Sequence, residues 1–332
     1  MVNRVAINGF GRIGRSLFRA ALASRKIKIV AINNLTDVHT MAYLLKYDSS
    51  FGNFHGKIEV KNNTLYVNGI GYPFFSERDP KNLPWKELKV DIVAECTGVF
   101  RTRELAGQHI IAGAKKVLLS ASAKDPIDLT IVKGVNDKKY DRKKHTILSN
   151  ASCTTNCITP VAKIIDDNFG IKRSSLTTVH GYTSSQSLQD SPNIKDLRRG
   201  RAAAVNIVPT STNAAKAATT VLPHLEGRMD GLAIRVPVAI GSIIDFVVET
   251  NKSVSKDDLD LAFKKAAAKD MKGIVEYSEE PLVSTDIIGN PHSAIYDATA
   301  SMVIDPHFIK VIAWYDNEWG FSKRMVDVLE IM

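Results

Sequence analysis

The 332-residue chain has little cysteine: Cys96, Cys153 and Cys157 are an odd number and too few for a disulfide framework, which fits a reducing compartment. Cys153 and Cys157 have a C-x₃-C spacing, but no second pair of Cys or His ligands stands nearby in the sequence to complete a zinc site, so no metal is expected. Long hydrophobic runs are also missing. Every apolar stretch is broken by charge well short of the roughly 20 residues of a membrane-crossing helix, and Met1 leads straight into a strand pattern without the design of a signal peptide. A cytoplasmic location away from membranes is expected. The formal charge is +9 and the pI near 9.3, yet no long basic block occurs. Lys115-Lys116, Lys138-Lys139 and Arg142-Lys143-Lys144 are short and read as solvated faces, so nucleic acid is not expected as a primary partner. Net positive charge does steer small phosphorylated anions toward a protein. No internal repeat or low-complexity segment is present.

What is there is a soluble globular composition, 44% hydrophobic and 24% charged, long enough for two domains. Apolar Val2–Asn8, a helical pattern over Arg12–Ser24 and apolar Ile27–Ile32 make a βαβ unit with a parallel sheet. A helical pattern over Asp37–Tyr47 follows, then short strands between Lys57 and Phe75 with a turn at Asn68-Gly69. Val90–Cys96 and Lys116–Ser120 read as further strands, separated by a helix over Arg103–Ala112. The first part is therefore a doubly wound domain. After Cys153 the texture changes to longer β-branched strands at Leu176–His180, Leu232–Val236, Ser242–Thr250 and Lys310–Tyr315, with a helix over Ser255–Lys269. That points to an α+β domain with a mixed or antiparallel sheet. Between His180 and Ala202 the chain is polar and aperiodic, and so long a loop is usually functional. The last helix, Trp319–Leu329, could pack on either domain. The boundaries read as 1–151 with 317–332, and 152–316.

Gly9-Phe10-Gly11-Arg12-Ile13-Gly14 is a G-x-G-x-x-G directly after a strand and at the opening of a helix. The first glycine permits the tight turn, the second admits a pyrophosphate to the backbone, and the third allows close packing of helix on strand. Such a fingerprint expects an acid about twenty residues on, where this chain has Asn34. An amide can bond a ribose but lacks the charge that repels a 2′-phosphate. Asp37 stands one turn further; it either supplies the acid or caps the following helix.

Ser149-Asn150-Ala151-Ser152-Cys153-Thr154-Thr155-Asn156 sets a thiol among small hydroxyl and amide groups, between the β-rich His145–Ser149 and a helical pattern from Cys157. At a strand-to-helix turn the field of the helix N-terminus favours thiolate. A nucleophilic thiol needs a base. Of the eight histidines, His180 ends a strand-like run at the start of the long loop and is the candidate, although a lone histidine is more often structural. Cys157 reads as a small core residue.

These segments, with Asp196-Leu-Arg-Arg199, Arg235-Val-Pro237 and Trp314-Tyr-Asp-Asn-Glu-Trp-Gly320, resemble phosphorylating glyceraldehyde-3-phosphate dehydrogenase along the whole chain. The resemblance implies a Rossmann-type domain and a catalytic domain, acting on D-glyceraldehyde 3-phosphate, inorganic phosphate and NAD and/or NADP. It implies Cys153 as the nucleophile that forms a thiohemiacetal and then a thioester, with His180 as base. Thr183 and Arg235 would hold the substrate phosphate. Ser152, Thr154, Thr212, Asn213 and Arg199 would hold the attacking phosphate. Cofactor contacts would fall to Gly9, Phe10, Gly11, Arg12, Ile13, Gly14, Asn34, Arg78, Thr97 and Ser120, with Asn317 on the nicotinamide carboxamide and Ser191 near the ribose of a neighbouring subunit. A homotetramer is implied.

Four positions depart from the family pattern, among them Ser191, which stands where leucine or glycine is common. Asn34 replaces an acid common in NAD-specific members, and with Ser191 it resembles members that accept NADP. Asn213 replaces a glycine, tolerable because asparagine adopts left-handed backbone. Phe321 replaces a tyrosine. The rival readings are an erythrose-4-phosphate dehydrogenase that hydrolyses its thioester, against which Thr212 and the Asp196–Arg199 loop speak, and a non-catalytic nucleotide- or RNA-binding protein on the same fold, against which the intact Cys153 and His180 speak.

Overall fold

The N-terminal apolar run forms β1 (Asn3–Asn8), and the fingerprint glycines turn it into α1 (Arg12–Ala21), from which β2 (Ile27–Asn33) returns parallel to β1. This is the βαβ unit expected from the periodicity. The computed structural model, which describes residues 2–332, continues with α2 (Val38–Lys46) and the strands β3 (Ile58–Lys61), β4 (Thr64–Val67) and β5 (Ile70–Phe75). Asn68 and Gly69, both at positive φ, make the tight turn between β4 and β5. Then come β6 (Ile92–Glu95), α3 (Arg103–Ile111), β7 (Lys116–Leu119), β8 (Leu129–Thr130) and β9 (Ile147–Ser149). The nine strands form one sheet in the order β3-β4-β5-β2-β1-β6-β7-β9-β8. The pairings from β5 to β8 are parallel, and those of β3 with β4 and β4 with β5 are antiparallel. Ile92–Ala94 of β6 and Val117–Leu119 of β7 are buried apolar runs, as in strands covered on both faces.

The second part opens with α4 (Cys153–Phe169), followed by β10 (Ile171–Gly181), β11 (Val208–Ser211), α5 (Ala214–Val221), β12 (Met229–Val236) and β13 (Ser242–Thr250). It ends with α6 (Lys256–Ala268), β14 (Val275–Ser278), β15 (Ala294–Asp297), β16 (Met302–Asp305) and β17 (Phe308–Tyr315) before α7 (Trp319–Ile331). Its eight strands run β11-β12-β10-β13-β17-β15-β14, with β16 beside β17, and mix parallel with antiparallel pairs. β13 alternates buried and half-exposed residues along its whole length, the mark of a sheet covered on one face. Cys157, Ile158, Val161 and Ile165 of α4 share one apolar core with Ile244, Phe246, Val248, Val311 and Ala313 of that sheet.

The helix bearing Cys153 starts a turn earlier than its apolar pattern suggests. Ser152 caps it by accepting from Thr155 N at 3.1 Å, so the polar Thr154, Thr155 and Asn156 lie inside the first turn. The Ala/Thr-rich α5 and the short β11, β14, β15 and β16 carry too little pattern to be seen in the sequence.

Two compact units result: residues up to Ile131 with Asn136–Ala151 and Ser322–Met332, and Val132–Val135 with Ser152–Phe321. From Ser322 onward α7 therefore belongs to the nucleotide-binding unit, where Asn3 Nδ2 donates to Leu329 O at 2.7 Å. Asn317 groups with the second unit. Among the described residues no helix is long and apolar enough to cross a membrane.

Candidate active site

In the first unit the strand ends of the parallel sheet and the start of α1 bound a cleft of about 340 Å³. Gly9, Gly11, Asn34, Arg78 and Thr97 line it, as the fingerprint requires. Gly9 sits at φ 92, and a Cβ on it would lie 2.6 Å from Thr97 N. At Gly14 a Cβ would meet Gly9 O at 2.0 Å, so this glycine serves the packing of α1 on β1. Gly11 is different: a Cβ there meets no protein atom within 4 Å, it is the N-cap, and no side chain caps the helix. The first turn also lacks acids. Backbone N–H groups of an uncapped, acid-free helix start facing a cleft are what a pyrophosphate needs, so the residues fit a dinucleotide.

The other fingerprint positions divide. Phe10 is buried among Phe18 and Phe74, and its N–H donates to Asn34 Oδ1 at 3.0 Å. Asn34 thus ties the end of β2 to the fingerprint loop, with its amide nitrogen 3.4 Å from Thr36 O. Arg12 pairs with Asp48 at 2.8 Å. Ile13 and Ser120 are half-buried and are not part of the cleft wall. Asp37 caps α2 through Thr40 N at 2.9 Å, which decides between its two readings. Beneath the cleft lies a network without sequence signal. Buried Glu95 accepts from Thr97 N at 2.7 Å, from the Thr97 hydroxyl and from Asn8 Nδ2 at 2.6 Å, and faces His109 Nε2 at 3.0 Å. Trp85 Nε1 donates to His109 Nδ1 at 3.1 Å, and because an indole can only donate, the imidazole proton lies on Nε2, toward Glu95.

In the second unit β10 and β12 run parallel with His180 directly opposite Arg235. Cys153, first residue of α4, lies with Sγ 3.4 Å from His180 Nε2. His180 Nδ1 is 2.7 Å from Gly181 O, which suits an Nδ1–H and leaves the Nε2 lone pair facing the thiol, whereas the Arg235 Nη1 contact to the same Nδ1 suits the opposite tautomer. Arg235 Nη1 lies against the same Nδ1 and donates to Gly181 O at 3.0 Å, while its Nε is enclosed with no partner. Burial drops the His180 pKa to about 3, and the Arg235 charge adds to that shift. Burial likewise raises the Cys153 thiol, against the pull of Arg235 and a Thr154 hydrogen bond. Both shifts favour the uncharged forms, so burial works against the thiolate that the helix-start position favours. Tyr315 closes the floor, its hydroxyl 2.8 Å from both Thr154 Oγ1 and Thr178 Oγ1.

The remaining predicted positions fall as follows. Thr183, two residues past β10, bonds Ser185 Oγ at 2.9 Å. Thr154 is buried and its hydroxyl is turned to Tyr315. Arg199 Nε bonds Thr210 Oγ1 at 2.9 Å and pairs with Asp196 at 3.2 Å, beside the strand that leads into Thr212. Arg201 pairs with Asp190 at 2.8 Å, so two of the three loop arginines have acid partners from flanking positions. Thr212 accepts from Ala214 N at 3.1 Å. Asn213 has φ −94, so no left-handed tolerance is called on. Ser191 Oγ bonds Ser187 Oγ at 2.6 Å. Phe321 is buried. Asn317 is buried, with Oδ1 accepting from Gly241 N at 3.1 Å and Ser242 Oγ at 3.2 Å. Among the described residues no cluster of His, Cys, Asp or Glu could hold a metal ion.

A dinucleotide cleft in one unit and a thiol–imidazole pair in the other define the class of nicotinamide-dependent oxidoreductases with a cysteine in the catalytic unit. Residues 3–103 match the glyceraldehyde 3-phosphate dehydrogenase NAD binding domain and residues 152–317 match the C-terminal domain of the same enzyme. Glyceraldehyde-3-phosphate dehydrogenase of Geobacillus stearothermophilus is 53% identical over 328 residues, 99% of this chain and 97% of its own. Glyceraldehyde-3-phosphate dehydrogenase 2 of Streptomyces avermitilis is 52% identical over 99% of this chain and 98% of its own, and glyceraldehyde-3-phosphate dehydrogenase 1 of Bacillus subtilis is 52% identical over 99% and 97%. The chain belongs to the glyceraldehyde-3-phosphate dehydrogenase family and is an NAD-dependent oxidoreductase of glycolysis. The erythrose-4-phosphate and non-catalytic readings are not favoured.

Proposed function

We propose that the chain oxidises glyceraldehyde 3-phosphate to an acyl phosphate through a covalent thioester on Cys153. The observation behind this reading is the 3.4 Å approach of Sγ to His180 Nε2, in surroundings whose burial favours the uncharged form of each group. Sγ attacks the aldehyde carbon while the thiol proton passes through His180 Nε2 to the carbonyl oxygen, giving a thiohemiacetal. Bound NAD supplies a hydride acceptor. As the carbon gives up hydride, His180 takes the hydroxyl proton and the C=O bond of the thioester forms. The N–H groups at the start of α4 suit the oxygen while it bears charge. A phosphate oxygen then attacks the thioester carbon and the C–S bond breaks. The departing sulfur takes the proton back from His180, and the proton of the phosphate goes to water.

Thr183 and Arg235 hold the substrate phosphate in this account, supported by the enclosed, unpartnered Nε of Arg235. Ser152, Thr212, Asn213 and Arg199 serve the attacking phosphate. Thr154, its hydroxyl bonded to Tyr315, contributes by that placement rather than by an outward hydroxyl. The dinucleotide pyrophosphate lies on the start of α1 at Gly11, and Asn317 holds the carboxamide. NADP is accepted as well as NAD, because Asn34 is neutral and engaged with Phe10 N, and the one carboxylate lining the cleft, Glu77, bonds Asp79 N instead. The chain works as a cytoplasmic homotetramer; supporting this are its three free cysteines and the segment 188–207, where Leu188, Ile194 and Leu197 are 83%, 98% and 80% exposed.

The covalent step is tested by incubating the protein with aldehyde and NAD without phosphate and measuring the mass of the peptide bearing Cys153. An acyl adduct there, absent in Cys153→Ser, supports the reading; NADH formation by Cys153→Ser at the unmutated rate overturns it. For the cofactor, kcat/KM is compared between NAD and NADP. A preference for NAD above about a hundredfold, roughly 2.7 kcal/mol, contradicts dual use.

A further inference from the structure

Asn317 does not choose freely which end of its amide it presents. Gly241 N–H, 3.1 Å away, can only donate, so the atom facing it is the carbonyl oxygen whatever the side chain's other contacts. Ser242 Oγ lies on the same oxygen at 3.2 Å and receives Gly181 N–H at 3.3 Å. A hydroxyl has one proton; because Gly181 N–H donates to Ser242 Oγ and Asn317 Oδ1 can only accept, the Ser242 proton points at Asn317. Ser242 is 1% exposed and opens β13, where it stands opposite both His180 and Tyr315. Among the described residues Asn317 Nδ2 has no hydrogen-bond partner. The turn that carries Asn317 is itself fixed by Asp316, whose carboxylate accepts from Glu318 N and Trp319 N at 2.8 Å each and from Gly289 N at 2.8 Å.

We infer that Ser242, with the Gly241 N–H, is a positioning residue for cofactor recognition: it locks Asn317 as a hydrogen-bond donor toward the nicotinamide carbonyl oxygen and ties that donor to the peptide that follows His180. This deepens the proposed function and rests on the assignment of Asn317 to the carboxamide. Two donors on one oxygen hold the amide against the half-turn that would present an acceptor instead. Gly181 meets Ser242 through its N–H and meets Arg235 Nη1 and His180 Nδ1 through its C=O, so the hydroxyl acts on the amide of Asn317 and not on the imidazole itself. A further consequence concerns cofactor chemistry. A locked donor reads the carbonyl oxygen of the carboxamide and not its NH₂, so a 3-acetylpyridine analogue, which keeps the oxygen and loses the NH₂, remains well bound.

The test is a double-mutant cycle on the full-length protein with Ser242→Ala and Asn317→Ala, reading KM for NAD, kcat, and the rate of Cys153 alkylation by iodoacetamide without cofactor. Ser242→Ala is expected to raise KM for NAD about fivefold, the loss of one hydrogen bond, and to leave alkylation within about twofold. The double variant is expected to match Asn317→Ala alone, because the hydroxyl acts through the amide. An unchanged KM in Ser242→Ala beside a raised KM in Asn317→Ala overturns the inference, as do independent, additive effects. An unchanged KM in Asn317→Ala overturns the carboxamide assignment, and the inference falls with it. If the alanine variant does not fold, Ser242→Cys, a near-isosteric but weak donor, takes its place and is expected to lie between the unmutated protein and Asn317→Ala in KM; a value equal to the unmutated one overturns the inference.

Discussion

Two strand-to-helix turns of this chain, each with a positive φ just before the helix, solve opposite problems. After β1, the turn into α1 takes its positive φ at Gly9, leaves the N-cap to Gly11 and caps nothing with a side chain. After β9, the turn into α4 takes its positive φ at Ala151, which is buried, and caps the helix with Ser152. The first keeps its N–H groups and the space at Gly11 available, which is what a diphosphate requires. The second satisfies part of its helix start internally and uses the first helical position to aim a thiol. A helix N-terminus binds or activates according to what stands in its first turn: small and uncapped in one case, hydroxyl-capped around a nucleophile in the other.

At α4 burial opposes the field of the helix start and raises the thiol, so in the proposed reaction its proton passes to His180 during attack instead of being shed beforehand. Replacing His180 by Asn is therefore expected to lower kcat by about 10²- to 10⁴-fold with little change in KM for NAD, measured by steady-state kinetics. The same group sets a stability trend. Its pKa falls from the ordinary 6.5 to about 3 in the fold, so the unfolded chain binds the proton first as pH drops. The native state loses stability as pH falls from about 6.5 toward 3, and His180→Asn flattens that part of a denaturation-against-pH curve.

At the nucleotide turn the two glycines separate binding from folding. Gly11→Ala meets no protein atom, so the expected result is an unchanged melting temperature and a KM for NAD raised about tenfold or more. Gly14→Ala drives a methyl to 2.0 Å from Gly9 O, and a loss of about 3 kcal/mol in denaturant unfolding is expected. Equal effects of the two substitutions on stability would erase the contrast. The smallest expected effect is at the other turn: Ser152→Ala removes the cap on Thr155 N and costs about 1 kcal/mol of stability, with a raised KM for phosphate.

Most of the frame was legible because its signals are local. The period switch from β1 to α1, the Asn68-Gly69 turn and the helical pattern over Ser255–Lys269 are short-range chemistry, and each element formed within a few residues of its expected bounds. The residue pairs of the site were not legible in the same way. His180 meets Arg235 through strand register, and Ser242 meets Asn317 across about seventy-five residues of chain, a relation that no spacing rule encodes. The acid partners of the loop arginines, Asp190 and Asp196, stand outside the cluster in sequence and close on it in space. Desolvation of Cys153 and His180 depends on the packing of α4 against the sheet, which composition cannot report.

In the proposed reaction Cys153 carries an acyl group that phosphate must remove. Rapid mixing of the enzyme with glyceraldehyde 3-phosphate and NAD, first without phosphate and then with it, tests this most directly. The account predicts a burst of one NADH per chain followed by a stall, with turnover restored when phosphate is added. Sustained NADH formation at the full rate in the absence of phosphate would contradict it.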